Sequence, residues 1–394
     1  MNAPRAGERD LPAPGAPFSS SELHRRRELL EGALSGAGAQ HALLYGANRS
    51  GGAVPWITGW PVSREAHVLV TPGHPDVLLV NFFNHVPEAA RRAACADVRW
   101  AGEAPTDTVA DVLRERGAPG DTLAVVGALP YTQYAALAAE WRLVDLNRAY
   151  TRLRLVKSPE EIEALRAAAA LTDLAAGTLV DEPVVGRTEH ELVARIEYAY
   201  VSRGGAHHIH YLGVTSMDDP QRCVPAQLPS ARPVQRGDVI TFEISAAVAP
   251  EYAGQLLRTL TVGQEPSAAV RRLHDVAELA LDAIEQLLRP GTTAADLEAA
   301  GDVIEDSGFT IVDDLVHGFG GGYLPPVLGT RGRRLGPTPE LVLEEGMTVV
   351  VQPNVVARDH TLGVQTGELM LVGREGATRL HTFPRGLRVL DVDR

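Results

Sequence analysis

The stretch RLRLVKSPEEIEALRAAAALTDLAAGTL, residues 152–179, begins the pattern that decides the fold. Ser158 and Glu161 make a capping box, and Pro159 suits the first helical position, so a helix should start here. Small and apolar residues then recur every three or four positions, at 162, 165, 169, 172, 176 and 179. This spacing predicts a helix with one face packed against a core.

The same order of segments then occurs twice. The first copy has helices near 160–180 and 189–203, the histidine segment AHHIHYLGVTS, and strands at 238–248 and 253–263. The second has helices near 267–289 and 294–307, the histidine segment LVHGFGGGYL, and strands at 347–356 and 363–373. Two such copies predict an α+β domain with pseudo-twofold symmetry, its strands packed centrally and a site at their join.

The chain before this region is organised differently. Helical and strand-like segments alternate over residues 21–152, which predicts a smaller α/β domain. Residues 1–20 are rich in proline and glycine and are typical of a flexible lead-in. We therefore expect the domains 21–152 and 153–394 after this lead-in. The run Arg25–Arg27 is typical of a solvated helix face.

Composition limits the functional classes. Of the 394 residues, 45% are apolar and 22% are charged, as in ordinary globular proteins. The net charge of −13 argues against nucleic-acid binding. No apolar run is long enough to span a membrane, and Cys95 and Cys223 are too isolated to indicate a disulfide framework or a zinc ribbon. We expect a cytoplasmic protein.

Four motifs give the duplicated region a family resemblance. They are Gly237-Asp238 before VITFEIS, YAGQLLRT at 252–259, HGFG at 317–320, and Gly346-Met347 before VVVQPNVV. Together they resemble the creatinase/aminopeptidase P/prolidase family, M24, over about residues 25–375. The resemblance implies a pita-bread catalytic domain that follows a creatinase-like α/β domain, and a homodimer.

The resemblance also locates a metal site and suggests that it has changed. Metallopeptidases of this family hold two metal ions with two aspartates, one histidine and two glutamates. These positions fall on Glu243, Gln255, His317, Gln352 and Gly367, with Glu368 beside the last. Neutral amides and a glycine cannot supply the charge that two close divalent cations need. The sequence therefore predicts a site without metal or another cofactor.

Creatinase, a pita-bread enzyme that works without metal, provides a precedent within the family. Its catalytic histidine falls on Ala226 here, so another group would have to transfer the proton. On a regular strand His208 and His210 share one face, opposite His207, and imidazoles suit acid–base catalysis near neutral pH. These two histidines are therefore candidates for the missing group.

The resulting hypothesis is a metal-independent, creatinase-like hydrolase that cleaves a C–N bond in a small polar amino-acid-like, amide or guanidino substrate. His317 or His210 would protonate the leaving nitrogen, and Glu243 or Glu368 would position water. The substrate would be bound by the remaining polar side chains, which are Gln255, Gln352, Arg258, His208, Gln365 and Tyr252. Three alternatives stay open: an Xaa-Pro-type metallopeptidase with an altered metal site, a lyase or cyclase, and a catalytically silent binding protein.

Overall fold

The computed structural model describes residues 18–48, 51–95, 97–225, 228–249 and 251–392. Most of the predicted lead-in and Ala226 lie outside these ranges. The described residues form a six-stranded and a ten-stranded sheet with associated helices, one on either side of residue 155, and a separate two-stranded sheet. Within these ranges, none of the helices has the length and apolar character that crossing a bilayer requires.

The first sheet has six strands in the order β4-β3-β2-β1-β5-β6 and is mixed parallel and antiparallel. Its strands are β1 His41–Ala47, β2 Glu65–Val70, β3 Val77–Val80, β4 Asp97–Trp100, β5 Thr122–Val126 and β6 Arg142–Asp145. The helices are α1 Ser20–Gly36, α2 Ala53–Thr58, α3 Val86–Arg92, α4 Pro105–Arg114, α5 Tyr131–Ala138 and α6 Asn147–Leu153, with a 3-10 turn at Phe83–His85. The predicted α/β alternation is present, and the boundary at residue 152 stays a prediction.

The second sheet contains the duplicated region. Its helices are α7 Pro159–Asp181, α8 Glu189–Val201, α9 Ala268–Glu285, α10 Ala294–Gly301 and α11 Val303–Asp306. Its main strands are β7 Ala206–Ser216, β8 Asp238–Ala249, β10 Leu256–Val262, β11 Val316–Phe319, β12 Tyr323–Leu328, β13 Thr348–Val351 and β16 Gly367–Val372. Its shorter strands are β9 Tyr252–Ala253, β17 Ala377–Arg379 and β18 Arg388–Leu390, and β14 Asn354–Val356 and β15 Gly363–Gln365 pair with each other in a separate two-stranded sheet. Unlike the single helix predicted over 294–307, two helices meet at Asp302.

Helix α7 begins and packs as its sequence predicts. The Ser158 hydroxyl accepts a hydrogen bond from the Glu161 amide, and the Glu161 side chain accepts one from the Ser158 amide. Small residues let the helix approach the sheet closely, because a Cβ at Gly254 would lie only 2.7 Å from the Ala169 Cα. The Thr172 hydroxyl also accepts the Ala246 amide of β8 at 3.0 Å. This close packing fixes the back of the site strands.

The order of the second sheet is β12-β11-β13-β16-β10-β8-β7, so the strands of the second copy lie together on one side, those of the first copy lie on the other, and the two groups meet where β16 pairs with β10. In register, Glu243 of β8 lies opposite Leu257 of β10, and His317 of β11 lies opposite Val350 of β13. The ring of His208 in β7 contacts that of Phe319 in β11, so residues of the two copies that are far apart in sequence come together at one site.

A buried ionic cluster joins α1 to α7. Arg26 is fully buried, contrary to the solvated face predicted for its run. It bonds Glu22, lies 3.4 Å from Glu161, and places its guanidinium 3.9 Å from the centre of the Phe18 ring. Burial of these charges is tolerated because each has an opposite partner.

Candidate active site

A chain of four polar side chains lies at the centre of the second sheet. The Gln255 amide nitrogen donates to Glu243 Oε1 at 2.9 Å and to Gln352 Oε1 at 2.8 Å. The Gln352 amide nitrogen in turn donates to Asp314 Oδ1 at 3.0 Å. All four residues are buried. Gln255 precedes β10 and Gln352 follows β13, and both of these strands pair with β16, which lies between them.

His317 and its aromatic neighbours form the next part of the site. The buried His317 ring stacks on Tyr323 with ring centres 4.3 Å apart, and the Phe319 ring contacts it at 5.5 Å. Burial lowers the pKa of His317 to about 4, so the imidazole is neutral at physiological pH. Tyr323 is 55% exposed and leaves this end of the site open to solvent.

Three carboxyl groups have raised pKa values at this site. Burial, with Asp313 and Asp314 nearby, raises the pKa of Glu243 to about 8. Burial and the neighbouring Asp314 raise the pKa of the more exposed Asp313 to about 6. Burial also raises the pKa of Asp314. At neutral pH Glu243 therefore holds a proton while Asp313 is ionised.

The histidine strand departs from regular alternation. A β-bulge between His207 and Ile209 shifts the pairing of β7 with β8. His207 and His210 consequently contact each other, with ring centres 4.6 Å apart, and His210 bonds the Tyr200 hydroxyl of α8. The expectation that His208 and His210 share a face is wrong for this reason. His208 alone turns towards the site, with its ring centre 5.6 Å from that of Phe319.

Arg258 and Glu368 form a separate cluster on the other face of the sheet. Glu243 is paired with Leu257, so Arg258, the next residue, points to the opposite side. Its Nη2 donates to Glu368 Oε2 at 2.7 Å, and Arg379 bonds both Glu368 oxygens. Burial acts to raise the pKa of Glu368, but the two arginines lower it overall. Glu368, predicted to position water, and Arg258, predicted to bind the substrate, therefore bond each other on the face of the sheet opposite Glu243.

Tyr252 and Gln365, which were also predicted to bind the substrate, make their hydrogen bonds to residues outside the chain of four polar side chains. The Tyr252 hydroxyl donates to Glu161 Oε1 at 2.5 Å and lies in the cluster that joins α1 to α7, not beside His317. The Gln365 backbone exchanges hydrogen bonds with the Thr259 hydroxyl, and its side-chain Oε1 is buried without a partner among the described residues. The Tyr252 hydroxyl therefore bonds Glu161 in a structural cluster, whereas the sequence predicted that it would bind the substrate.

The two-metal centre that the family resemblance implies does not fit these residues. Of the five positions, only Glu243 and His317 carry side chains that bind divalent metals well. The Gln255 amide group lies between oxygens of Glu243 and Gln352, where its hydrogens point at both. Gly367 has φ 154°, and a Cβ there would lie 2.2 Å from the Val351 carbonyl oxygen. The fifth ligand position thus has no room for a side chain.

Asp313, Asp314 and Tyr323 are site residues that were not predicted from the sequence. The two aspartates directly precede β11, three and four residues before His317, and Tyr323 follows the glycines at 320–322. An acidic pair just before a strand that carries a candidate histidine is a signal that was present in the sequence. Tyr323 comes close to His317 because β12 folds back antiparallel on β11.

Known proteins resemble this chain over most of its length. A probable dipeptidase PepE from Mycobacterium tuberculosis is 28% identical over 341 residues, covering 83% of this chain and 86% of the relative. An Xaa-Pro dipeptidase from Pyrococcus furiosus is 24% identical over 285 residues, covering 71% and 78%. The PepE crystal structure from Mycobacterium ulcerans has a TM-score of 0.78 at 25% identity, covering 95% of this chain and 99% of that one. A prolidase structure from Thermococcus sibiricus, at 20% identity, gives 0.79 and covers 95% and 100%.

These comparisons confirm the pita-bread α+β fold and correct the functional hypothesis. The relatives are named as dipeptidases and Xaa-Pro dipeptidases, so the creatinase-like, metal-independent hydrolase was the wrong expectation, and the peptidase alternative agrees better. The model of metallopeptidase family M24 matches residues 163–374, which is more than half of the sequence. The chain therefore belongs to metallopeptidase family M24.

Proposed function

We propose that this protein is a peptidase-type hydrolase that cleaves the C–N bond of a dipeptide or another short peptide, with a centre altered from that of its relatives. Membership of the family and the names of the relatives support the reaction class. The observation that carries the proposal is the pair of carboxyl groups, Glu243 and Asp313, with pKa values of about 8 and about 6. Such separated values are typical of an acid and a base in one site.

The two groups have complementary roles in the proposed hydrolysis. Asp313, ionised at neutral pH, accepts a proton from water while the water oxygen bonds to the peptide carbonyl carbon. Glu243 gives its proton to the leaving amine nitrogen as the C–N bond breaks. His317, neutral because it is buried, stacks on Tyr323 and borders the reacting group. The hydrogen bonds from Gln255 to Glu243 and Gln352 hold the proton donor in place.

The charge of the site favours a substrate with a free amino terminus. The charged groups that shift the pKa values of Glu243 and Asp313 are other carboxyl groups and His317. Asp314 Oδ2 is buried and accepts no well-aligned hydrogen bond within the described part of the chain. An α-ammonium group of a peptide would supply both the missing donor and the opposite charge. We therefore expect this end of a dipeptide to lie beside Asp314.

A dipeptide panel tests the proposal. Full-length protein is incubated with peptides that do or do not carry proline second, after chelation and with added Mn²⁺ or Zn²⁺, and the released amino acids are measured by chromatography. We expect hydrolysis of at least one peptide, and a fall in kcat/KM of about 100-fold or more for Glu243→Gln. Glu340→Gln, at an exposed position, is the matched control with unchanged activity.

Two results would contradict the proposal. One is the absence of hydrolysis of every peptide under all conditions, and the other is full activity of Glu243→Gln. Peptide binding without turnover, measured by calorimetry, would instead support the silent binding protein. That alternative is favoured by the two amides and the glycine at the family's ligand positions.

A further inference from the structure

A second cluster of possible metal ligands lies on the outer side of the histidine strand. Glu197 of α8 and His207 and His210 of β7 each offer one ligand atom, and the three atoms lie within 4.8 Å of one another. His207 Nδ1 is 3.5 Å from Glu197 Oε1, and the two imidazole rings meet edge to face. Among the described residues, no other group of three or more His, Cys, Asp or Glu side chains converges this closely.

The β-bulge creates this convergence. In a regular strand, residues three apart point to opposite faces, so His207 and His210 would be separated by the sheet. The extra residue between His207 and Ile209 turns both imidazoles towards α8 and leaves His208 facing the site. Bulges that redirect side chains in this way are frequent beside functional sites.

His210 has the surroundings of a metal ligand. Its Nε2 lies 2.7 Å from the Tyr200 hydroxyl, which fixes the orientation of the ring. Its Nδ1 is buried and makes no well-aligned hydrogen bond within the described part of the chain, so this nitrogen is available to an ion. An imidazole held by a hydrogen bond on one nitrogen is the usual arrangement of a metal-binding histidine.

We propose that Glu197, His207 and His210 bind one divalent transition-metal ion of the Zn²⁺ type. Two imidazole nitrogens and one carboxylate oxygen are the ligands that zinc prefers, and three protein ligands leave a fourth position for water. The side chains of His207 and Glu197 are 35% and 44% exposed, so the ion can enter from solvent. The bound ion would link α8 to β7, the edge strand of the sheet.

This site is distinct from the five family positions, and the inference does not depend on the proposed peptidase activity. None of its three residues coincides with Glu243 or His317, and the bulge directs His207 and His210 towards α8. Zinc bound here is expected to stabilise the fold, because an ion that binds only the native state raises the midpoint of thermal unfolding.

Zinc titration of the chelator-treated, full-length protein tests the inference. Calorimetry should show one Zn²⁺ per chain that is lost, or bound at least about 10-fold more weakly, in His207→Ala and in Glu197→Gln. Both changes are at partly exposed positions, which preserves the fold. His190→Ala, an exposed histidine on the same helix, is the matched control, and Glu243→Gln tests the family positions; both should bind zinc as the wild type does.

Cobalt substitution gives a second measurement. Co²⁺ in a four-coordinate site has strong visible absorption, and this absorption should disappear in His207→Ala. The inference is overturned if the wild type binds no zinc, or if His207→Ala binds it unchanged. It is equally overturned if Glu243→Gln abolishes the binding while His207→Ala retains it.

Discussion

Glu243→Gln should lower kcat/KM by about 100-fold or more and yet stabilise the protein at alkaline pH. Glu243 is buried, and burial with Asp313 and Asp314 nearby raises its pKa from 4.5 to about 8. Because the folded state holds this proton more tightly than the unfolded chain, folding stability falls as the pH rises from 4.5 towards 8. Glutamine keeps the acceptor oxygen for the Gln255 amide but has no proton to lose.

The size of the effect follows from the two pKa values. Between pH 6 and pH 9 the wild type should lose about 2–3 kcal/mol of unfolding free energy through this group alone. Glu243→Gln should not show that loss, so the unfolding free energy of the variant relative to the wild type should rise by the same amount between pH 6 and pH 9. Urea unfolding of both proteins at pH 6 and pH 9 measures the difference. Parallel pH dependence of the two proteins would refute the reasoning that Glu243 is protonated in the fold.

Glu368→Gln provides a control, because it also replaces a buried glutamate by glutamine but should destabilise the protein. Burial acts to raise the pKa of Glu368, but Arg379 and Arg258 lower it overall. Its charge therefore stabilises the fold at neutral pH, and this stabilisation is lost as the pH falls through the folded pKa. Glu368→Gln leaves the buried Arg258 without its counter-charge, which should lower the free energy of unfolding by about 3–5 kcal/mol at pH 7.

Three more outcomes are expected. The kcat/KM for a dipeptide should rise with an apparent pKa near 6 and fall with one near 8, and Asp313→Asn should remove the acidic limb of this profile. Acetylation of the peptide's amino terminus should prevent hydrolysis, as steady-state assays can show, because it removes the charge expected beside Asp314. Ser158→Ala should lower the unfolding free energy by about 1 kcal/mol without changing kcat, because it removes the α7 cap.

Features encoded by local sequence patterns were predictable. The capping box at Ser158, the spacing of small residues in α7 and the order of segments in the two copies each depend on neighbours within a few turns. The central position of Glu243, Gln255, Gln352 and His317 then followed from pairing the two copies. The homodimer and the cytoplasmic location stay predictions.

Features that depend on register or on distant partners were not predictable in the same way. Regular alternation along β7 predicts the wrong face for His210, because the extra residue at the β-bulge changes which side chains point to each face. Arg258 and Glu368 lie near the site in sequence. Leu257 is the residue that pairs with Glu243, however, so the next residue, Arg258, points to the opposite face of the sheet. Arg26 is buried between two counter-charges, and only Glu22 is local, because Glu161 lies 135 positions later in the sequence.

The backbone at Gly367 bears on how this centre can evolve. Gln255 and Gln352 can each become acidic by a conservative exchange, but no side chain fits at Gly367 while the Val351 carbonyl stays where it is. Reversion to the ancestral ligand set therefore requires two adjacent strands to move together, which stepwise selection rarely achieves. A laboratory lineage selected for metal uptake should recruit Asp314 as a replacement ligand, and leave the glycine untouched.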